Sequence, residues 1–103
     1  MKYFLITYAL ANGSPEDWYP EVEEFIATLE ADPVLGDKIT HRSLKRKDGA
    51  TYYHLATTAD DAAAKALGET DFFEKYTQRC DSVSNGAVEV IPLELVAETS
   101  RSA

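Results

Sequence analysis

Residues 51–61 read TYYHLATTADD. The stretch follows Asp48-Gly49, a dipeptide that favours a two-residue hairpin turn. Its large side chains alternate as in a strand, and it then enters an alanine-rich helix with no true loop between. Successive strand side chains point to opposite faces, so Tyr52 and His54 share one face and Tyr53 and Leu55 the other. A sheet with one wet face would make one of those pairs plainly polar. Neither pair is. The reading that follows is a strand covered on both sides.

Upstream, Ile39–Lys47 alternates in the same way, and Asp48-Gly49 joins it to Thr51–Thr58 as a hairpin. With those two residues in the turn, Lys47 faces Ala50, Ser43 faces His54 and His41 faces Ala56. One face then holds His41, Ser43, Lys45, Tyr52, His54 and Ala56. The opposite face holds Arg42, Leu44, Arg46, Tyr53, Leu55 and Thr57.

Downstream, Thr58-Ala59-Asp60-Asp61 caps a helix whose Ala62, Ala63, Ala66 and Leu67 form a small-residue face. Gly68 interrupts it. A second piece restarts at Thr70 or Asp71, with Asp71 and Glu74 spaced as a capping box and Phe72, Phe73 and Tyr76 as anchors. Asp81–Gly86 reads as a loop, and Ala87–Ala97 as the last strand. At the other end, Met1–Leu10 reads as the first strand. Ser14 then caps a helix with Pro15 at its first position. Trp18, Val22, Phe25, Ile26 and Leu29 make one apolar helical stripe, ending near Asp32-Pro33.

The order is β-α-β-β-α-β, a ferredoxin-like α+β sandwich with a four-stranded antiparallel sheet and two helices on one face. Right-handed crossovers place the first and third strands in the middle, read here as parallel to each other, with the second and fourth at the edges. Residues 1–97 form one domain and 98–103 a flexible tail. Strand one is apolar on both faces, with Phe4, Ile6 and Tyr8 against Tyr3 and Leu5. Strand four also sets valines against Ile91, Leu93 and Leu95. Two dry faces imply a homodimer packed sheet against sheet. Tyr52 and His54 are then expected in the space between subunits.

Composition narrows the function. A 103-residue chain with 45% hydrophobic and 27% charged residues is an ordinary single domain with a thin core. The single cysteine, Cys80, forms no internal disulfide and suits the reducing cytoplasm. No apolar run approaches the ~20 residues of a membrane span. Cleavage after Ala11 would release a segment shorter than the ~15–30 residues of a secretory signal.

The net charge of −8 argues against nucleic acid. Five of the ten basic residues fall in residues 38–47, KITHRSLKRK, which reads as a charged edge strand protected from strand addition. No metal-ligand spacing, glycine-rich phosphate loop or Ser-His-Asp grouping is present. His54 and His41, the only histidines, are the candidate chemistry. A neutral imidazole accepts a phenol or enol proton. The plainer reading of both histidines is a satisfied or partly exposed pair near the sheet edge.

Tyr53-His54-Leu55-Ala56, followed by Asp60-Asp61-Ala62-Ala63 and then Phe72-Phe73-x-x-Tyr76, resembles the antibiotic-biosynthesis-monooxygenase-like dimeric α+β barrels. The resemblance implies a barrel-like homodimer enclosing a pocket. Members include cofactor-independent oxygenases acting on polycyclic phenols and haem-degrading enzymes. Histidines frequent in that family fall on Leu67 and Phe72 here.

The expectation is a dimer acting on an apolar, aromatic or polyketide-like small molecule without a bound cofactor or metal. His54 would be the proton acceptor, with Tyr52, Tyr8, His41, Trp18 and Phe72 lining the pocket. The alternatives are a non-catalytic ligand-binding or stress-associated dimer using the same cavity, and an interaction module with no cavity.

Overall fold

The computed structural model describes residues 1–100. Its elements run β1 (Lys2–Ala9), α1 (Pro15–Ala31), β2 (Ile39–Lys45), β3 (Thr51–Thr58), α2 (Asp61–Gly68), α3 (Asp71–Ser84) and β4 (Glu89–Leu93). They form the ferredoxin-like α+β arrangement, with a single sheet in the order β2-β3-β1-β4. β1 and β3 are central, as expected, and the basic segment lies on edge strand β2. The two central strands are antiparallel, however. Each crossover skips one strand: β1 is parallel to β2 with β3 between them, and β3 is parallel to β4 with β1 between them. Every neighbouring pair is therefore antiparallel.

The hairpin register is the one the Asp48-Gly49 turn dictates, with Ser43 opposite His54 and His41 opposite Ala56. β1 continues that face, pairing Ile6 with His54 and Tyr8 with Tyr52. Here the structure corrects the expected orientation. Tyr52 and His54 lie under the helices, both buried within one subunit, and not on the helix-free side. Trp18 and Phe25 of α1 and Tyr76 of α3 pack over this face, where Trp18 meets Tyr8, Phe25 meets His41 and Tyr76 meets His54, each edge-on. The helix-free face carries Tyr3, Leu5, Leu44, Tyr53, Leu55, Ile91 and Leu93. Leu44 is 47% exposed, Leu55 39%, Ile91 37% and Leu93 43%. Arg42, Thr57, Thr7 and Glu89 share this face, so its apolar residues form a central patch open to water in the single chain.

The helix ends follow local chemistry. Ser14 accepts from the Asp17 amide, and Pro15 opens α1 where its missing N–H costs nothing. Trp18, Val22, Phe25 and Leu29 are buried along one stripe. Asp60 caps α2 by accepting from Ala63 N at 2.8 Å. At α3 the cap is Thr70, whose hydroxyl accepts from Phe73 N. The expected Asp71–Glu74 capping box is not used, since its capping position has already become the first helical residue.

Residues 81–84, expected to be loop, form the last turn of α3. Val83 packs on the core, and its carbonyl accepts from Ala11 N and Asn12 N. The chain then leaves through left-handed Asn85 (φ 56°) and Gly86 (φ 77°). β4 is shorter than the expected 87–97, because β1 offers it partners only from Tyr3 to Thr7. The expected tail, 98–103, includes residues 101–103, which lie outside the described residues. Among the described residues no helix is long and apolar enough to cross a membrane.

After α1, Asp32 Oδ1 accepts from Val34 N and Leu35 N, which turns buried Leu35 into the core. Gly36 then passes so close to the helix end that a Cβ would meet Glu30 O at 2.6 Å and Asp32 O at 2.9 Å. Backbone oxygens in a capped turn have little room to yield. Gly36→Ala is expected to destabilise the fold by about 1–3 kcal/mol, read as a lowered midpoint in urea unfolding.

Candidate functional site

The helices do not fill all the space above the sheet. Between the β1/β3 face and helices α2 and α3 lies a cavity of about 410 Å³, within the size range of small-ligand sites. Ile6, Tyr8, His54, Thr58, Phe73 and Tyr76 contribute to its wall, which is mostly apolar. Alternation along β1 and β3 delivers Tyr8 and His54. Helical spacing on α3 delivers Phe73, Tyr76, Thr77 and Cys80 at i, i+3, i+4 and i+7.

A run of hydrogen bonds follows the floor of this cavity. Trp18 Nε1–H donates to the Tyr8 hydroxyl oxygen at 2.8 Å. That hydroxyl lies 2.8 Å from His54 Nε2, and His54 Nδ1 lies 2.8 Å from His41 Nε2. Four side chains from α1, β1, β3 and β2 are thus joined in series. Each neutral imidazole has one donor and one acceptor, so the series has two self-consistent polarities. In one, Tyr8 donates to His54 and His54 to His41, leaving a donor at His41 Nδ1. In the other, every histidine bond reverses. His41 Nδ1 becomes a free base, and the Tyr8 proton is released to point elsewhere.

Ring packing fixes these groups. Tyr8 stacks on Tyr52 at 5.5 Å and on His54 at 5.3 Å. Tyr76 stacks on Phe25 at 4.1 Å, and Phe25 meets His41 edge-on at 5.2 Å. This dry setting disfavours charge. Burial lowers His41 to about 4. Burial, with His41 alongside, lowers His54 to about 3. Both imidazoles are neutral at pH 7. Burial raises the Tyr8 and Tyr76 hydroxyls well above the usual phenol range, and pushes the Cys80 thiol up to about 11. Cys80 is therefore a protonated wall residue and not a nucleophile.

Of the residues expected at the site, His54, Tyr8 and His41 come together in the cavity wall. Tyr52 stacks behind Tyr8, and Trp18 is buried behind it as a hydrogen-bond donor; neither lines the cavity. Phe72 turns toward Phe25 and a shallow outer cleft, while its neighbour Phe73 takes the cavity side. Thr58 and Tyr76 are additional wall residues. The helical spacing from Phe73 was the available sign for Tyr76, and Thr58 continues the His54 face of β3. Among the described residues no group of three or more His, Cys, Asp or Glu side chains is placed to hold a metal ion.

No protein-family model matches the sequence, and no curated protein matches it. Solved structures do. The cofactor-independent oxygenase SnoaB from Streptomyces nogalater superposes with a TM-score of 0.77 at 15% identity, covering 97% of both chains. Rv0793 from Mycobacterium tuberculosis gives 0.77 at 12% identity, over 96% of this chain and 98% of that one. A structure described as an antibiotic biosynthesis monooxygenase gives 0.74 at 13% identity, over 94% and 100%. The chain has the antibiotic-biosynthesis-monooxygenase-like fold.

At such identities the likeness establishes the fold alone. What this chain does follows from its own cavity and hydrogen-bonded histidines.

Proposed function

We propose that this chain forms a two-fold dimer through its open sheet face and works in the cytoplasm on an apolar, ring-bearing small molecule held in the cavity. His54 accepts a proton from that molecule. The observation that carries this reading is the hydrogen-bonded run Trp18–Tyr8–His54–His41 along the floor of an apolar cavity. A substrate with an acidified C–H beside a carbonyl or phenol gives up its proton to His54 Nε2 as the Tyr8 hydroxyl turns from that nitrogen to the developing oxyanion. His41 carries the resulting charge toward the sheet edge.

An imidazole lowered by burial is a weak base in the empty site. The anion formed beside it supplies the counter-charge that favours its protonated form. The electron-rich substrate then reduces dioxygen directly. A methylene becomes a carbonyl, one oxygen atom is inserted and the other leaves as water with the two hydrogens, so no separate reductant is needed.

A second reading is favoured by one specific feature: both nitrogens of His54 already have partners. A site built that way can hold a ligand without turning it over. The test uses 1,8-dihydroxyanthrone, a tricyclic phenol with an activated methylene, with dioxygen uptake and binding measured side by side. Under the first reading His54→Ala lowers uptake by about 100-fold or more and changes binding only severalfold. Binding by the native protein with no uptake above the spontaneous rate would replace the enzyme reading with the binding one.

A further inference from the structure

Two hydroxyls in the cavity wall lack a well-formed hydrogen bond. Thr58 is 4% exposed and Tyr76 8%; among the described residues Thr58 Oγ1 has no hydrogen-bond partner, and the Tyr76 hydroxyl, which faces Tyr8 and Cys80, makes no well-formed bond to either. A buried polar group left unpaired is costly, and folded proteins seldom tolerate one without a reason. Here two occur around one cavity.

They mark separate ends of it. Thr58 lies four residues along β3 from His54 on the same face, about 13 Å at ~3.3 Å per residue. The Tyr76 ring packs edge-on against His54, 6.3 Å between centroids. Ala56 lies between Thr58 and His54 on that face, and Leu67, Phe73 and other apolar groups make up much of the remaining wall. Among the described residues no lysine or arginine lines the cavity, and the one carboxyl there belongs to Asp81. An anion would find no counter-charge there.

We propose that the cavity recognises an uncharged, elongated, largely apolar molecule with an oxygen at each end, one bonded by Tyr76 and the other by Thr58. A hydroxyl donates one hydrogen bond and accepts others, so each end can be a carbonyl or a phenol. This rests on the ligand-binding part of the function proposed above and is independent of turnover.

Equilibrium dialysis against 4,4′-dihydroxybiphenyl, biphenyl and biphenyl-4-sulfonate tests it, with Thr58→Val and Tyr76→Phe, which remove the hydroxyls at nearly constant volume. The native protein is expected to bind the diol about tenfold or more tighter than biphenyl, and the sulfonate not measurably. Each variant is expected to lose about three- to tenfold in diol affinity, the worth of one hydrogen bond, with biphenyl affinity unchanged. The melting temperature of each empty variant is expected to equal or exceed that of the native protein, since an unpaired buried hydroxyl is gone. Equal affinity for diol and biphenyl, firm binding of the sulfonate, or a sharp fall in melting temperature would overturn the recognition of two oxygen ends while leaving the functional reading in place. If no probe binds, both fall.

Discussion

Lowering the pH from 7 to about 4 is expected to remove several kcal/mol of stability through the two histidines alone. In the folded protein His41 sits at about 4 and His54 at about 3, both held down chiefly by burial. In the unfolded chain each returns to about 6.5. Below that value the unfolded chain binds protons that the folded one refuses. Stability therefore falls with falling pH. The contribution is present in full above about pH 6.5. It is lost as pH drops toward the folded values.

One group costs about 1.4 kcal/mol per pH unit, so two groups over the two units from pH 6 to 4 approach ~5 kcal/mol. That is a large part of the ~5–15 kcal/mol available to a small domain. Urea unfolding followed by circular dichroism at pH 7, 6, 5 and 4.5 reads the slope. The double variant His41→Gln/His54→Asn cannot take up these protons, and its acid limb is expected to be flatter by up to two protons. Equal slopes for native protein and double variant would show that the pair is hydrated in the native state. The dry cavity floor would then be wrong.

The same burial explains what could and could not be read in the sequence. Period-two alternation and the Asp48-Gly49 turn carry the hairpin register, because both are local. They suffice to put His41 and His54 on one face. Alternation cannot say which face the helices cover, since Tyr52/His54 and Tyr53/Leu55 are both large and neither pair is frankly polar. That choice depends on aromatic rings supplied from far along the chain, Trp18 and Phe25 on α1 and Tyr76 on α3. The local pattern alone leaves both faces open.

The ends of α3 and β4 depart from expectation for a related reason. Asp81–Ser84 is polar enough for a loop but is held helical by Val83 and the carbonyl contacts it makes. The strand-like residues beyond Leu93 have no partner strand. Phe72 and Phe73 are equivalent as sequence, and only the assembled fold sets Phe73 on the cavity and Phe72 on the outer cleft. Thr58 and Tyr76 are legible as a strand end and a helix anchor. That their hydroxyls lack well-formed hydrogen bonds is a property of the assembled core.

Leu55→Asp is expected to convert the proposed dimer to monomers without unfolding them. Leu55 lies on central strand β3, opposite Leu5 on one side and Arg42 on the other. In the single chain it is 39% exposed, so an aspartate there keeps access to water, with Arg42 as a cross-strand neighbour. In a face-to-face dimer the same carboxylate, with its two-fold mate, would lose that water and be buried among Tyr3, Leu5, Tyr53, Ile91 and Leu93 side chains, with Arg42 still opposite it but desolvated in turn. The penalty for an ion in such surroundings is several kcal/mol even after relaxation. The short aspartate stem cannot carry its charge to the rim.

About 4 kcal/mol weakens association roughly 1,000-fold, enough to dissociate a tight dimer at micromolar concentration. Sedimentation equilibrium is expected to give the dimer mass for the native chain and half that mass for Leu55→Asp, with unchanged far-ultraviolet circular dichroism. Lys47→Asp, an equal-sign change beside the hairpin turn, is expected to leave the dimer intact. The contrast matters because the apolar helix-free face gains about 25 cal/mol for each Å² it removes from water, a gain that the thin core of a 103-residue chain has reason to use. A native chain that sediments as a monomer at micromolar concentration, or a Leu55→Asp variant that remains dimeric, would mean that something other than a second copy meets this face.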